Sequence, residues 1–229
     1  MNTNISKSLL SIVPMKADFS RSTRIDRDQF QSDSFIYSAS IDEFLKTMIA
    51  HRETPVQHGA FTWTGPYGSG KSTRWVLKNT AARVFSVDTS AYWVNEASKN
   101  NVKNNARLMI RHVDLGDVSD YGYPIDYSMG DFFNLYTDFL WNQDEKPSVV
   151  LIDGRFRVCC FLTSLKFADE GTHIIFDDYM NRPEYHIVEK YVERVEHCGR
   201  QCLFIVPSPQ EIDLDSLEKD INNFRYVMD

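Results

Sequence analysis

Nowhere in the 229 residues does an apolar run approach the roughly 20 needed to cross a bilayer. Lys7 and the short stretch from Ser8 to Pro14 do not make a signal-peptide core. The expectation is a cytoplasmic protein with no membrane partner. Cysteine is scarce: Cys159, Cys160, Cys198 and Cys202 form one adjacent pair and one C-x-x-x-C pair, neither a usual zinc spacing, so buried free thiols are expected. A basic surplus is also missing. A formal charge of −7 disfavours general adhesion to nucleic acid or anionic membrane and leaves a small substrate or a protein as partner. There is no internal repeat and no low-complexity tract, so a solenoid or array is excluded.

What is present suits a globular chain. Hydrophobic residues make up 42% and aromatics 13%, with charges well mixed. This length fits one substantial α/β domain with an N-terminal extension. Met1 to Asp33 is polar and without a sustained apolar period, which suggests an arm over residues 1–39 and a domain over 40–229. Ser40-Ile41-Asp42-Glu43 has capping-box form, and Ile41, Phe44, Leu45, Met48 and Ile49 follow it on one helical face.

The chain is organised around Gly65-Pro66-Tyr67-Gly68-Ser69-Gly70-Lys71-Ser72-Thr73. Its glycines allow a sharp turn and a close approach to a ligand, and a helix start behind them favours negative charge. Ala60 to Thr64 reads as the strand entering the loop and Ser72 to Asn79 as the helix leaving it. The literal pattern G-x-x-x-x-G-K-S would place Lys71 on terminal phosphates and Ser72 on magnesium. The same residues contain Gly68-x-Gly70, and Asp88 closes the next apolar run at a spacing that suits an acid on a ribose. Two nucleotide-like ligands remain open at this point.

Arg83 to Val87, Ala106 to Val113, Ser148 to Ile152, His173 to Phe176 and Cys202 to Val206 have strand length and composition, with helical patterns between several of them. This alternation predicts an open, mostly parallel α/β sheet with helices on both faces. An aromatic-rich insertion over 114–145 reads as a helical cover or as a substrate wall. Pro183 opens a predicted helix with Ile187, Val188, Tyr191, Val192 and Val195 as its core stripe, ended by Gly199, and Leu214, Leu217, Ile221 and Phe224 mark a last helix.

Ligands of open parallel sheets bind beyond the carboxyl ends of the strands, and here those ends are acidic. Asp153 follows Val149 to Ile152, and Asp177 and Asp178 follow Ile174 to Phe176. If the two strands are neighbours, these acids converge as hard oxygen ligands for a cation such as magnesium, or one serves as a general base. Alternatively they cap helices or pair with Arg155, Arg157 and Arg182. Arg155, Arg157 and Arg182 are also candidates to clamp an anionic substrate, with Arg155 or Arg182 orienting it. His186 is expected to face solvent.

From about residue 67 to 207, the segments YGSGKST, VFSVDTSAYWV, GYPID, VVLIDGRFRVCCF and IIFDDYMNRPEYHIVE resemble the class I S-adenosylmethionine-dependent methyltransferases. The resemblance implies a Rossmann-like fold, with Gly68, Ser69, Gly70 and Asp88 on the cofactor. It also maps magnesium-binding acids onto Asp153 and Asp177 or Asp178. It implies methyl transfer to an oxygen or nitrogen of a small or sugar-like acceptor, with Asp153, Asp178, Arg155 and Arg182 in catalytic roles. The loop departs from that family at Pro66, where an acid is usual, and at Lys71, where a small residue is usual. A shorter stretch, from about residue 24 to 73, resembles the start of a P-loop ATPase. That resemblance implies ATP with magnesium held by Gly65, Gly68, Ser69, Gly70, Lys71, Ser72 and Thr73, with Asp153 near the metal. A binding protein that kept the fold without the chemistry is the third expectation.

Overall fold

The structure is a computed structural model that describes residues 62–79, 82–99 and 106–229. The predicted arm over residues 1–39 and the capping-box helix lie outside the described residues. Seven strands form one sheet: β1 (Thr62–Tyr67), β2 (Arg83–Asp88), β3 (Leu108–His112), β4 (Val149–Ile152), β5 (His173–Phe176), β6 (Glu196–Cys198) and β7 (Gln201–Ile205), in the order β3-β2-β1-β4-β5-β7-β6. The strands from β3 through β5 pair in parallel, whereas β7 runs antiparallel to both β5 and β6.

Side-chain alternation explains why both faces are covered. Val150, Ile152, Ile174, Phe176 and Phe204 point to one cluster, which Phe161, Leu162, Leu217 and Ile221 complete. Val149, Leu151, Ile175 and Leu203 point to the other, completed by Val76 and Leu77. The helices follow from these faces: α1 (Lys71–Asn79), α2 (Ala91–Ser98), the single turn α3 (Asn134–Thr137), α4 (Arg157–Phe167) and α5 (Leu214–Phe224). Every residue of α4 from Arg157 to Leu165 is buried, as a helix between a sheet and another helix requires. On α5, Asp213 accepts a hydrogen bond from the Ser216 N–H, while Leu217 and Ile221 face inward as their spacing predicts.

Three sequence expectations are corrected. β1 runs on to Tyr67, so Gly65 and Pro66 belong to the strand, which carries an irregularity between Thr64 and Tyr67, and the turn is only Gly68 to Gly70. The segment after Pro183 is a 3-10 helix, Pro183–Lys190, with Tyr185 and Val188 buried; Ile187 and Val195 are exposed. The remaining stretch forms β6, which is short and lacks alternation, so only its pairing with β7 identifies it. The aromatic insertion divides: Phe133, Tyr136 and Leu140 enter the core, while Tyr121, Tyr127 and Phe132 stay exposed. Cys159, Cys160 and Cys202 are buried free thiols; burial pushes Cys159 and Cys202 up to about 12.

Candidate functional site

Open parallel sheets bind ligands in the crevice beyond the carboxyl ends of their strands, and the candidate residues collect there, at the ends of β1, β2, β4 and β5. Gly68 takes a φ of +108°, and a Cβ there would sit 3.1 Å from the Gly154 Cα, so the turn after β1 and the start of the β4 loop touch backbone to backbone. Gly154 has no room for a side chain either, because a Cβ would collide with the Tyr67 carbonyl and the Tyr136 hydroxyl. Both glycines are therefore required by close approach.

All three amides of the turn already donate inside the protein: Gly68 N–H to the Val87 carbonyl at 2.8 Å, Ser69 N–H to Asp88 Oδ2 at 2.6 Å, and Gly70 N–H to Thr73 Oγ1 at 3.4 Å. A phosphate cradle needs those amides and tolerates no carboxylate among them. Thr73 is buried beneath the turn and Lys71 is exposed at the start of α1, while Ser72 is half-buried. The geometry thus gives the phosphate-loop reading no support: the eight-residue wrap is cut short by β1, and an acid accepts from the Ser69 amide within the turn.

Asp88 is buried, with Oδ1 accepting from the Ser90 N–H at 2.7 Å. Burial raises its pKa, and the two amides, His112 and Arg155 oppose that rise. Each oxygen keeps a free lone pair for a further donor. Thr89 holds the far wall by donating to the Gly122 carbonyl at 2.6 Å. Gly122 needs its positive φ and missing side chain there, since a Cβ would strike Thr89 Oγ1.

At the ends of β4 and β5 the acids do converge, but on guanidiniums. Asp177 is fully buried and accepts from Arg200 Nε at 3.0 Å, Arg200 Nη2 at 2.7 Å and Gln201 Nε2 at 2.8 Å. Asp178 meets Arg157 Nη1 at 3.0 Å and Arg200 Nη1 at 3.1 Å. Asp153 lies 3.8 Å from Arg157 Nη2. Desolvation first, and the Asp177 carboxylate second, push the Asp153 carboxyl well above its usual range. Solvent at its 37% exposed side chain weakens that push without reversing it. The expected cation site finds no support in this pairing. Among the described residues no group of three or more His, Cys, Asp or Glu is arranged to hold a metal ion, and Arg157 and Arg200 supply the positive charge instead.

Arg157 is engaged throughout, with Nε donating to the Gly154 carbonyl at 3.0 Å and Nη1 to the Asp177 carbonyl at 3.0 Å. Its backbone N–H, the first of α4, donates to Asp229 Oδ1 at 2.8 Å. Arg155 lies two residues earlier, and its Cζ stacks 3.8 Å from the centroid of the Tyr123 ring. Arg182 stays at the rim, 3.8 Å from Glu184. Tyr185 is buried and stacked on Phe176. His186 stacks on Tyr179 rather than facing open solvent. Sequence reasoning missed Arg200, Gln201 and Asp229 at this site, and their only signal is chemical: polar residues beside the turn of a hairpin and after a final helix.

The sheet order with an antiparallel β7 beside β5 is that of a methyltransferase-like Rossmann fold. No family model matches the chain, and no curated protein matches it. Among solved structures it is similar to a methyltransferase-like protein from Silicibacter pomeroyi, at 28% identity over 70% of this chain and 87% of that one, with a TM-score of 0.59. More distant are an O-methyltransferase from Bacillus cereus in complex with SAH, at 16% identity over 73% of this chain and 90% of that one, with a TM-score of 0.43, and the N-methyltransferase NodS from Bradyrhizobium japonicum, at 12% identity over 80% and 100%, with a TM-score of 0.42. No ATPase is among these neighbours, and the P-loop resemblance finds no support.

Proposed function

We propose that the protein is an S-adenosylmethionine-dependent methyltransferase acting on an oxygen or nitrogen of a small acceptor. The observation that carries this reading is Asp88, a buried carboxylate at the end of β2 that accepts one amide on each oxygen, from the turn after β1 and from Ser90, and keeps acceptor capacity on both. A carboxylate there accepts hydroxyl donors, as a ribose offers, and repels phosphate. Gly68, Ser69 and Gly70 would allow the cofactor's close approach, and Asp88 would hold its ribose. When bound, the cofactor supplies an electrophilic methyl group. The residues of this chain supply position and proton handling: the crevice between β1 and β4 sets the acceptor in line, and Asp153 accepts the acceptor's proton. A raised pKa suits Asp153 to that role, because a base closer in affinity to its target transfers the proton more readily.

Calorimetric titration tests the reading with S-adenosylhomocysteine and, separately, a non-hydrolysable ATP analogue with magnesium. S-adenosylhomocysteine should bind alone, and Asp88→Ala should weaken it by about tenfold or more, the loss of one or two hydrogen bonds to a charged group. Binding of the ATP analogue alone would refute the proposal.

A further inference from the structure

Arg155 is 7% exposed, and among the described residues its Nε and Nη1 have no hydrogen-bond partner, while both are shielded from solvent. Folded proteins satisfy almost all buried donors, and a guanidinium cannot shed its charge, so an exception of this kind marks a place for another molecule's acceptor. The adjacent carboxylates do not fill it. The charge of Asp88 reaches Arg155, yet its two oxygens are turned to the Ser69 and Ser90 amides. Asp229 also senses Arg155 but accepts from the Arg157 N–H instead. The Tyr123 ring lies over a face of the guanidinium, 3.8 Å from Cζ to its centroid, and so does not serve as an in-plane acceptor for Nε or Nη1. That ring lies in a surface segment between the exposed Tyr121 and Ile125. Of the other arginines expected to clamp an anion, Arg157 is engaged by protein groups and Arg182 pairs with Glu184.

We propose that Arg155 anchors an oxyanion subsite beyond the carboxyl end of β4, so that a ligand of this crevice carries a carboxylate or phosphate that accepts from Nε and Nη1. The subsite stands on its own, whereas the source of the oxyanion rests on the methyltransferase reading: it is either the amino-acid carboxylate of the cofactor or an acidic acceptor.

Thermal unfolding of the full chain in sodium formate and in sodium phosphate, against sodium chloride at matched ionic strength, tests the subsite. Both oxyanions should raise the midpoint of the wild type more than that of Arg155→Met, whose response is only the general effect of the salt. Equal responses overturn the proposal. Should Arg155→Met fail to fold, Arg155→Lys, which keeps the charge and loses the fork, serves in the same comparison and should respond less than the wild type. Titration with S-adenosylhomocysteine and with 5′-methylthioadenosine, the same nucleoside without a carboxylate, then assigns the source. A loss of about tenfold or more in Arg155→Met for the first ligand alone places the carboxylate on the cofactor. Unchanged affinity for both, with the oxyanion response lost, places it on the acceptor. Equal loss of both ligands counts against an oxyanion role. If the wild type binds neither nucleoside, the methyltransferase reading falls while the formate and phosphate comparison still decides the subsite.

Discussion

At the ends of β4 and β5, Asp153, Asp177 and Asp178 meet Arg157 and Arg200, and the guanidiniums are matched to carboxylates and carbonyls. At the ends of β1 and β2, Asp88 takes its hydrogen bonds from the Ser69 and Ser90 amides, and Arg155, whose charge reaches it, has unpaired donors among the described residues. The two arginines leave the same loop, two residues apart, after the same glycine. One closes a structure and the other leaves it incomplete. The lesson is that charge in a crevice is not itself a sign of chemistry. The unmatched half is where a ligand adds most, because a partner supplied from outside removes a cost that the folded protein still carries.

The widest gap between the halves should appear on deleting each arginine. Arg157→Met leaves three acids facing Arg200 alone and should cost about 3–5 kcal/mol in urea unfolding, the range for breaking a buried ion pair. An effect below about 1 kcal/mol would make the network ornamental. Gly154→Ala strikes the stem that both arginines share. Its new methyl meets backbone that cannot yield, so about 2–3 kcal/mol is expected, together with loss of ligand binding. Arg155→Met should leave the ligand-free protein between unchanged and about 1 kcal/mol more stable, since an unmatched buried charge goes and one stacking contact is lost. A large destabilisation would erase the distinction between the two regions.

Asp153 sharpens the comparison through pH. Its carboxyl is raised above the ordinary value of 3.8, so the folded protein holds a proton that the unfolded chain has released. Stability is therefore greatest below the ordinary carboxylate range and falls as pH rises through the raised value. Asp153→Asn should unfold at a slightly higher temperature than the wild type at neutral pH, and the difference should vanish in acid. Thermal scans across pH 3 to 8 check this small effect; a gap that widened toward acid would reverse the assigned sign.

Much of this was legible in the sequence, for physical reasons. Val149 to Ile152 and His173 to Phe176 are continuous apolar runs that only a sheet covered on both faces can bury, and each visibly ends in an acid. The turn after β1 was legible as a ligand loop but not as one whose amides were already engaged, since that depends on where β2 ends in space. Arg155 and Arg157 look alike in DGRFR. What separates them is Arg200, 23 positions beyond Asp177 on a hairpin whose first strand carries no pattern of its own. Pairings across such distances leave no local trace, and Tyr123 over Arg155 is another example.

The place of β7 has a consequence for how the chain is made. β5 is bordered on one side by β4 and on the other by β7, which follows 24 residues after β5 ends and runs the opposite way. A growing chain therefore presents His173 to Phe176 as a bare apolar edge until Gln201 to Ile205 has emerged, and the same hairpin brings Arg200, the counter-charge of Asp177. Chains stalled before that hairpin carry both a sticky edge and a lone buried acid, and are the species that chaperones would be expected to hold.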